Sequence, residues 1–372
     1  MRIAIDARKL RDYGIGTYIR NLVRHLARID RVTEYILIVQ PGDIEIPTEL
    51  GDNFRAVPDW SRAYSIREQL TIPLDLRREK VDLFHAPHYV LPPLTPCKSV
   101  VTIHDCIHLR FPQYLPNRLG YVYARSSLWV ATHRATRVLT VSETSKRDIL
   151  RYFRVPESKI DVIYNAIDER LGEAPSDAEM SQVRERYQLN DPFVLYAGNI
   201  KPHKNLERLI EAFNSLRRGG LEHVKLLIIG DEISKYASLR RAVHRYKLHK
   251  HVRFFGFVTD KTLASLYRLA SVFVFPSLYE GFGLPPLEAM AAGTPVITSN
   301  VSSLPEVVGD AAILIDPYEP DEIAAAMRRV LTDPALCADL RARGLSRVKQ
   351  FSWDRSIHRV REIYDEVLDS GT

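Results

Sequence analysis

The stretch Pro276-Ser277-Leu278-Tyr279-Glu280-Gly281-Phe282-Gly283-Leu284-Pro285-Pro286-Leu287-Glu288-Ala289-Met290-Ala291-Ala292-Gly293-Thr294-Pro295-Val296 joins a buried strand, a glycine turn, a helix start and two carboxylates eight positions apart. The apolar run Val272 to Phe275 just before it reads as a strand of a parallel sheet, and Leu284 to Ala292 has the length and Ala/Leu/Met content of a helix. Between them Gly281 and Gly283 let the backbone approach a ligand closely, and the N–H groups of the helix start favour negative charge. Glu280 sits in the turn beside that anion site, whereas Glu288 projects from the helix about two turns further on, at roughly 3.6 residues per turn. One carboxylate then meets the middle of a ligand and the other its far end. A pyrophosphate flanked by two polyols, as in a sugar nucleotide, fits that spacing.

The same alternation of strand and helix runs along all 372 residues and predicts an α/β chain with two doubly wound, Rossmann-like parallel sheets. In the first half, strands are expected at Arg2–Asp6, Tyr35–Gln40, Asp82–His85, Ser99–His104 and Arg137–Ser142, with helices near 16–30, 64–79, 116–134 and 143–153. In the second half, the strands are Phe193–Ala197, Lys225–Gly230, Val252–Phe255, Ser271–Phe275, Pro295–Thr298 and Ala312–Ile315, with helices near 205–218, 236–248, 260–269, 284–292 and 321–332. The length exceeds what one core usually organises. A polar segment from Glu169 to Ser181, with Gly172, Pro175 and four acids, reads as the interdomain linker. The expected division is therefore a first domain over 1–170, a linker over 171–190, a second domain over 191–350 and a terminal helix within 351–372. In such sheets ligands bind beyond the carboxyl ends of the strands, and every motif singled out here falls at those ends.

Gly14-Ile15-Gly16 follows the first strand, where its amides can touch a phosphate, but Ile19 occupies the third position of the dinucleotide fingerprint and disfavours a nicotinamide oxidoreductase. His104 ends an apolar strand and is followed by Asp105. Neighbouring His85, His88 and His108 have no metal-ligand spacing, and no Asp-x-Asp pair is present, so neither a metal nor a cofactor is expected. Cys97, Cys106 and Cys337 read as reduced structural thiols. Asp231, after Gly230, reads as a further polar candidate or a helix cap.

Taken together, the Glu280–Glu288 element with its Gly-Phe-Gly, the Val101-Thr102-Ile103-His104-Asp105 strand end, Val141-Ser142, Gly198-Asn199-Ile200-Lys201-Pro202-His203-Lys204-Asn205 and Gly256-Phe257-Val258 resemble the retaining glycosyltransferases of family four. The resemblance covers almost the whole chain. It implies the GT-B fold, in which two Rossmann-like domains face a central cleft and the final helix, here about Trp353 to Leu368, returns to the first domain. It further implies that Glu280 contacts sugar hydroxyls beside the reacting carbon and that Glu288 binds the ribose. The amides of Phe282, Gly283 and Leu284, after Gly281, would hold the diphosphate, with Gly14 and Gly16 touching it from the other domain. Lys204 would neutralise charge on the departing diphosphate, with His104 hydrogen-bonded to the transferred sugar. The loop containing Val258 meets the nucleotide base. Family members commonly carry Arg where this chain has Asn199, which leaves Lys204 as the main positive clamp. The Lys-Pro-His-Lys-Asn and His-Asp-x-x-His elements are most similar to the mannosyltransferase branch, so GDP-mannose is the expected donor. A UDP-sugar donor, a sugar-nucleotide epimerase or hydrolase, and a non-catalytic sugar-nucleotide binder are the alternatives.

The chain carries a formal net charge of +6, and the whole excess lies in residues 1–170, where 26 Lys/Arg stand against 20 Asp/Glu. Arginines spread over helices and loops without an aromatic reader motif argue against nucleic acid. A phosphate-bearing acceptor, such as a polyprenyl-diphosphate-linked glycan, or an anionic lipid surface suits the excess better. Segment 110–137 is basic and aromatic with no acid. Within it, Leu119, Val122, Ser126 and Val130 recur at helical spacing, as for a face packed on the sheet. Met1 leads directly into the first strand and no apolar run approaches the roughly 20 residues of a membrane span, so a cytoplasmic enzyme, peripheral at a membrane if attached at all, is expected.

Overall fold

The computed structural model describes residues 1–12, 14–45, 49–61, 64–115, 117–168, 174–230 and 236–370. The chain divides into two compact units, Met1–Asn165 with Ser352–Thr372, and Ala166–Phe351.

The first unit is built on β1 (Arg2–Asp6), β2 (Glu34–Val39), β3 (Phe54–Pro58), β4 (Leu83–Ala86), β5 (Lys98–Ile103), β6 (Arg137–Thr140) and β7 (Ile160–Val162). These pair in the order β3-β2-β1-β4-β5-β6-β7, all parallel. Central strands read as unbroken apolar runs because both faces are covered, as for Ile3, Ala4 and Ile5 of β1, all fully buried. Helix Ile15–Ile29 buries Tyr18, Ile19, Leu22, Val23 and Leu26, a stripe at spacings of one, three and four residues that faces the sheet.

The terminal helix Trp353–Asp369 belongs to this unit and buries Ile357, Val360, Ile363, Tyr364 and Val367. Full burial of each aliphatic side chain stabilises the docking by about 1.5–3 kcal/mol. Polar ties fix its register: the His25 ring meets Asp354 at 2.8 Å, and the Lys98 ammonium donates to the carbonyls of Val367 and Leu368 at 2.9 Å. His85 bridges the Tyr364 hydroxyl and Thr102 at 2.6 and 2.8 Å. Burial pushes the His85 imidazole down to about 3, so it bridges as a neutral ring.

The second unit has β8 (Phe193–Ala197), β9 (Lys225–Ile229), β10 (Val252–Phe255), β11 (Val272–Phe275), β12 (Val296–Ser299) and β13 (Ala312–Ile315), in the order β10-β9-β8-β11-β12-β13. All five pairings are parallel. Strand order reverses between β1 and β4 in the first sheet and between β8 and β11 in the second. A reversal sends the two following loops to opposite sides and leaves a crevice at the strand ends.

Several elements differ from the sequence reading. Edge strands β3 and β7 were not expected, because Phe-Arg-Ala-Val-Pro and Ile-Asp-Val lack the apolar run of a central strand. Helix Pro334–Val348, N-capped by the Asp333 carboxylate, was also unexpected. Part of the segment read as a linker is a helix, Asp177–Arg186, started by a capping box between Ser176 and Glu179; residues 169–173 and Asp231 lie outside the described residues. The packed face of helix Arg118–Arg134 is corrected too. Ala124, Leu128, Ala131 and Thr132 face the sheet, because two alanines let the helix approach it closely, while Leu119 and Val122 point outward.

Candidate active site

Lys204 and Glu280 stand 76 positions apart and meet because β8 and β11 are neighbours at the reversal of the second sheet. After β8 the chain turns through Gly198, whose φ of 148° suits glycine, into the one-turn helix Pro202–Lys204. After β11 it runs through Pro276 to Glu280. The Lys204 ammonium donates to Glu280 Oε1 at 2.6 Å, with side-chain exposures of 12% and 14%. It also lies 5.2 Å from the centre of the Phe275 ring.

The two loops are locked together from beneath. Asn205 adopts a left-handed conformation (φ 61°, ψ 34°), and its amide donates to the carbonyls of Pro276 and Pro317 at 3.1 and 2.6 Å. The Leu278 N–H donates to the His203 carbonyl at 2.8 Å.

The glycine turn is pinned by two serines. Ser302 Oγ lies 3.0 Å from the Glu280 N–H and 2.6 Å from its carbonyl, and the Ser303 hydroxyl contacts the carbonyls of Glu280 and Phe282 at 2.9 and 2.7 Å. Gly283 has φ 111°, and a Cβ there would sit 2.8 Å from Leu304 Cδ2, so both backbone and space exclude a side chain. Helix Leu284–Ala291 starts immediately after. Pro285 and Pro286 remove two of the donors that a helix start ordinarily offers, which concentrates anion-binding capacity on the amides leading into the helix. Along that helix Glu288 accepts from the Tyr267 hydroxyl at 2.9 Å. Desolvation pushes its carboxyl up to about 7, opposed by that hydrogen bond and aided by the charges of Asp260 and Asp168. A carboxyl so poised accepts hydrogen bonds from a diol once ionised.

Of the other residues in this unit, Asn199 offers its carbonyl to the Tyr196 hydroxyl at 3.1 Å. Gly256 and Phe257 are exposed, and Val258 packs against the core edge. Sequence reasoning missed Tyr267, Ser302 and Ser303, and quoted Asn205 within a motif without giving it a role. The serines had a signal, two hydroxyls directly before a helix, whereas Tyr267 reads simply as a core aromatic.

In the first unit, His104 Nε2–H donates to the Pro87 carbonyl at 2.9 Å, and its ring lies edge-on to Tyr18 at 5.0 Å. Burial lowers its pKa, partly offset by the Pro87 contact and Asp105, so the ring is neutral and Nδ1 is the remaining acceptor. The loop bearing Pro87 is itself anchored. The Val90 N–H donates to His88 Nδ1 at 3.2 Å, which leaves His88 Nε2–H to donate to Asp6 at 3.1 Å. Asp6 is fully buried; Arg8, at 2.7 Å, overrides the desolvation that would raise its pKa and holds it well below the usual carboxylate range. Neither Asp6 nor Arg8 was singled out from sequence. Gly14 has φ 57° and open space around it. The Gly16 N–H already donates to the Asp12 carbonyl at 3.0 Å, and a Cβ on Gly16 would lie 2.5 Å from the Leu10 carbonyl oxygen. Gly16 is thus required by close backbone packing.

Among the described residues no group of three or more His, Cys, Asp and Glu gathers where a metal ion would bind, and no helix is long and apolar enough to cross a membrane.

Two Rossmann-like parallel-sheet domains in one chain, with motifs at the strand ends, constitute the GT-B fold of glycosyltransferases. The family described as Glycosyltransferase Family 4 matches residues 13–171, and that described as Glycosyl transferases group 1 matches residues 179–347. O-antigen chain mannosyltransferase B of Escherichia coli is 34% identical over 358 residues, 92% of this chain and 93% of that protein. Sucrose-phosphate synthase of Thermosynechococcus elongatus matches with a TM-score of 0.80 at 21% identity, over 100% of each chain. Anabaena HepE in complex with UDP-glucose matches with a TM-score of 0.79 at 18% identity, over 98% of this chain and 100% of that one. The chain belongs to glycosyltransferase family 4 and is an enzyme of glycosyl transfer.

Proposed function

We propose that the enzyme moves mannose from GDP-mannose, with retention of anomeric configuration, to a glycan or polyprenyl-diphosphate-linked acceptor in polysaccharide or glycoconjugate biosynthesis. The observation that carries this reading is the Lys204–Glu280 pair, 2.6 Å apart beyond the ends of β8 and β11. When the bond from the anomeric carbon to the β-phosphate oxygen breaks, negative charge grows on that phosphate. A preorganised ammonium beside helix-start amides stabilises this charge more than it stabilises the ground state. Glu280, held by its partner and by Ser302, is oriented toward the hydroxyls of the sugar. Glu288 takes the ribose, and neutral His104 accepts through Nδ1 from a sugar hydroxyl. Because Lys204 and the helix dipole supply the counter-charge, the reaction runs without a metal.

Mannose is supported by the Lys-Pro-His-Lys-Asn element and by the mannosyltransferase at 34% identity. The test is a screen of nucleotide sugars that follows release of free GDP and UDP with and without acceptor glycans. Acceptor-dependent release of GDP from GDP-mannose is the expected result. Preference for a UDP-sugar would overturn the donor assignment, turnover without acceptor would mark a hydrolase or epimerase, and binding without turnover would mark a regulatory binder.

A further inference from the structure

We propose that the outer face of helices Glu68–Arg78 and Arg118–Arg134 docks on an anionic lipid surface. The inference deepens the reading of a lipid-linked acceptor, but its grounds lie in the first unit alone. Both helices pack on one side of the sheet: Ile72 and Leu76 share a core cluster with Leu128 and Ala131, as right-handed crossovers from β3 to β4 and from β5 to β6 require. Their outward faces therefore point the same way. The ring of Tyr64, just before the first helix, stands 6.3 Å from that of Tyr123 within the second.

Those outward faces are apolar at helical spacing. Leu119 is 78% exposed, and Val122 and Trp129 continue its stripe three and ten positions on. Ile66 is 85% exposed, with exposed Leu70 and Leu74 four and eight positions on. Six large exposed apolar side chains in two rows on the same side of the sheet are of the kind that marks an interaction surface.

Charge identifies the occupant. From Cys106 to Ser142 the sequence has no carboxylate. Arg110, Arg118, Arg125 and Arg134 are exposed, and none makes an ion pair among the described residues. On the other helix the acids are already engaged, Glu68 with Arg8 at 3.1 Å and Asp75 with Arg78 at 3.6 Å, and Glu79 just after it pairs with Arg55. Free arginines flanking leucine, valine and tryptophan match the headgroup and acyl boundary of an acidic leaflet. A second copy of this face would oppose like charges to one another.

The test is flotation of the intact protein with phosphatidylglycerol-containing vesicles and with pure phosphatidylcholine vesicles, at low and physiological salt, alongside Trp129 emission. Wild type is expected to float with the acidic vesicles only, more strongly at low salt, with a blue shift that disappears in Trp129→Phe. Arg118→Gln/Arg125→Gln, both at exposed positions, should lower the partition coefficient about 25-fold, from roughly fivefold per arginine. Leu119→Ser/Val122→Ser should abolish flotation, with circular dichroism and turnover of a water-soluble acceptor retained. Failure to float under both salt conditions would overturn the proposal, as would equal flotation on neutral vesicles or a dimer dissolved by Leu119→Ser/Val122→Ser. Flotation needs no turnover, so its outcome is independent of the donor assignment.

Discussion

Replacing Lys204 by alanine tests the site most directly, because the structure predicts effects on stability, on turnover and on the coupling between two residues. Lys204 and Glu280 are mostly shielded from water and 2.6 Å apart. Two unit charges at 4 Å attract by about 4 kcal/mol at an effective dielectric of 20. Lost solvation returns part of that, and charged hydrogen bonds contribute about 1.5–3 kcal/mol net. Lys204→Ala should therefore destabilise the second unit by about 2 kcal/mol, a fall of roughly 4–8 °C in Tm for a unit of this size. Loss of a preorganised donor to developing phosphate charge costs about 2.7–4 kcal/mol in the transition state, so kcat should fall about 10²–10³-fold. Glu280→Gln should also lower kcat sharply. The double variant should lose less than the two singles combined, because Lys204→Ala leaves the Glu280 charge uncompensated beside the diphosphate and Glu280→Gln relieves it. A coupling of about 1–3 kcal/mol is expected. Steady-state kinetics on the four proteins, with calorimetric melting, measure all three quantities. Wild-type turnover in Lys204→Ala would refute the clamp, and additivity within about 0.5 kcal/mol would refute the pairing.

Three further outcomes follow from the same geometry. Transfer should persist in EDTA; abolition by EDTA with rescue by Mg²⁺ or Mn²⁺ would show that Lys204 and the helix dipole are not the counter-charge. Glu288 has its pKa raised from 4.5 to about 7, so its buried acid stabilises the fold below 4.5 and that contribution is lost as pH rises through 7. Donor binding runs the opposite way: KM for the donor should fall as pH rises through about 7, and Glu288→Gln should flatten both profiles while acting chiefly on KM; an unchanged pH profile in that variant would exclude Glu288. Asn205→Ala removes two hydrogen bonds to buried carbonyls and places alanine in a left-handed conformation, at a cost of about 2–4 kcal/mol. Asn205→Gly, which restores the backbone alone, should melt between it and wild type.

Local pattern alone determined the α/β class, most of the strands and the Glu280–Glu288 element with its glycine turn. Apolar runs such as Val272–Phe275 can be satisfied only in a sheet covered on both faces, and glycine, proline and capping residues punctuate the chain within a few positions of the elements they bound. Edge strands β3 and β7 escaped because edge positions tolerate the charge and proline that a central strand refuses. Tertiary structure decided what depends on partners distant in sequence. Lys204 meets Glu280 because strand order reverses between β8 and β11, and Tyr267 reaches Glu288 only once two helices pack. Pro87 receives His104 because Arg8, Asp6 and His88 hold its loop. The outward turn of Leu119 and Val122 has the same origin. Helical spacing defines a stripe, but which stripe faces the sheet is settled by the fit of side chains against it, and here the alanine face packs closer than the leucine–valine face.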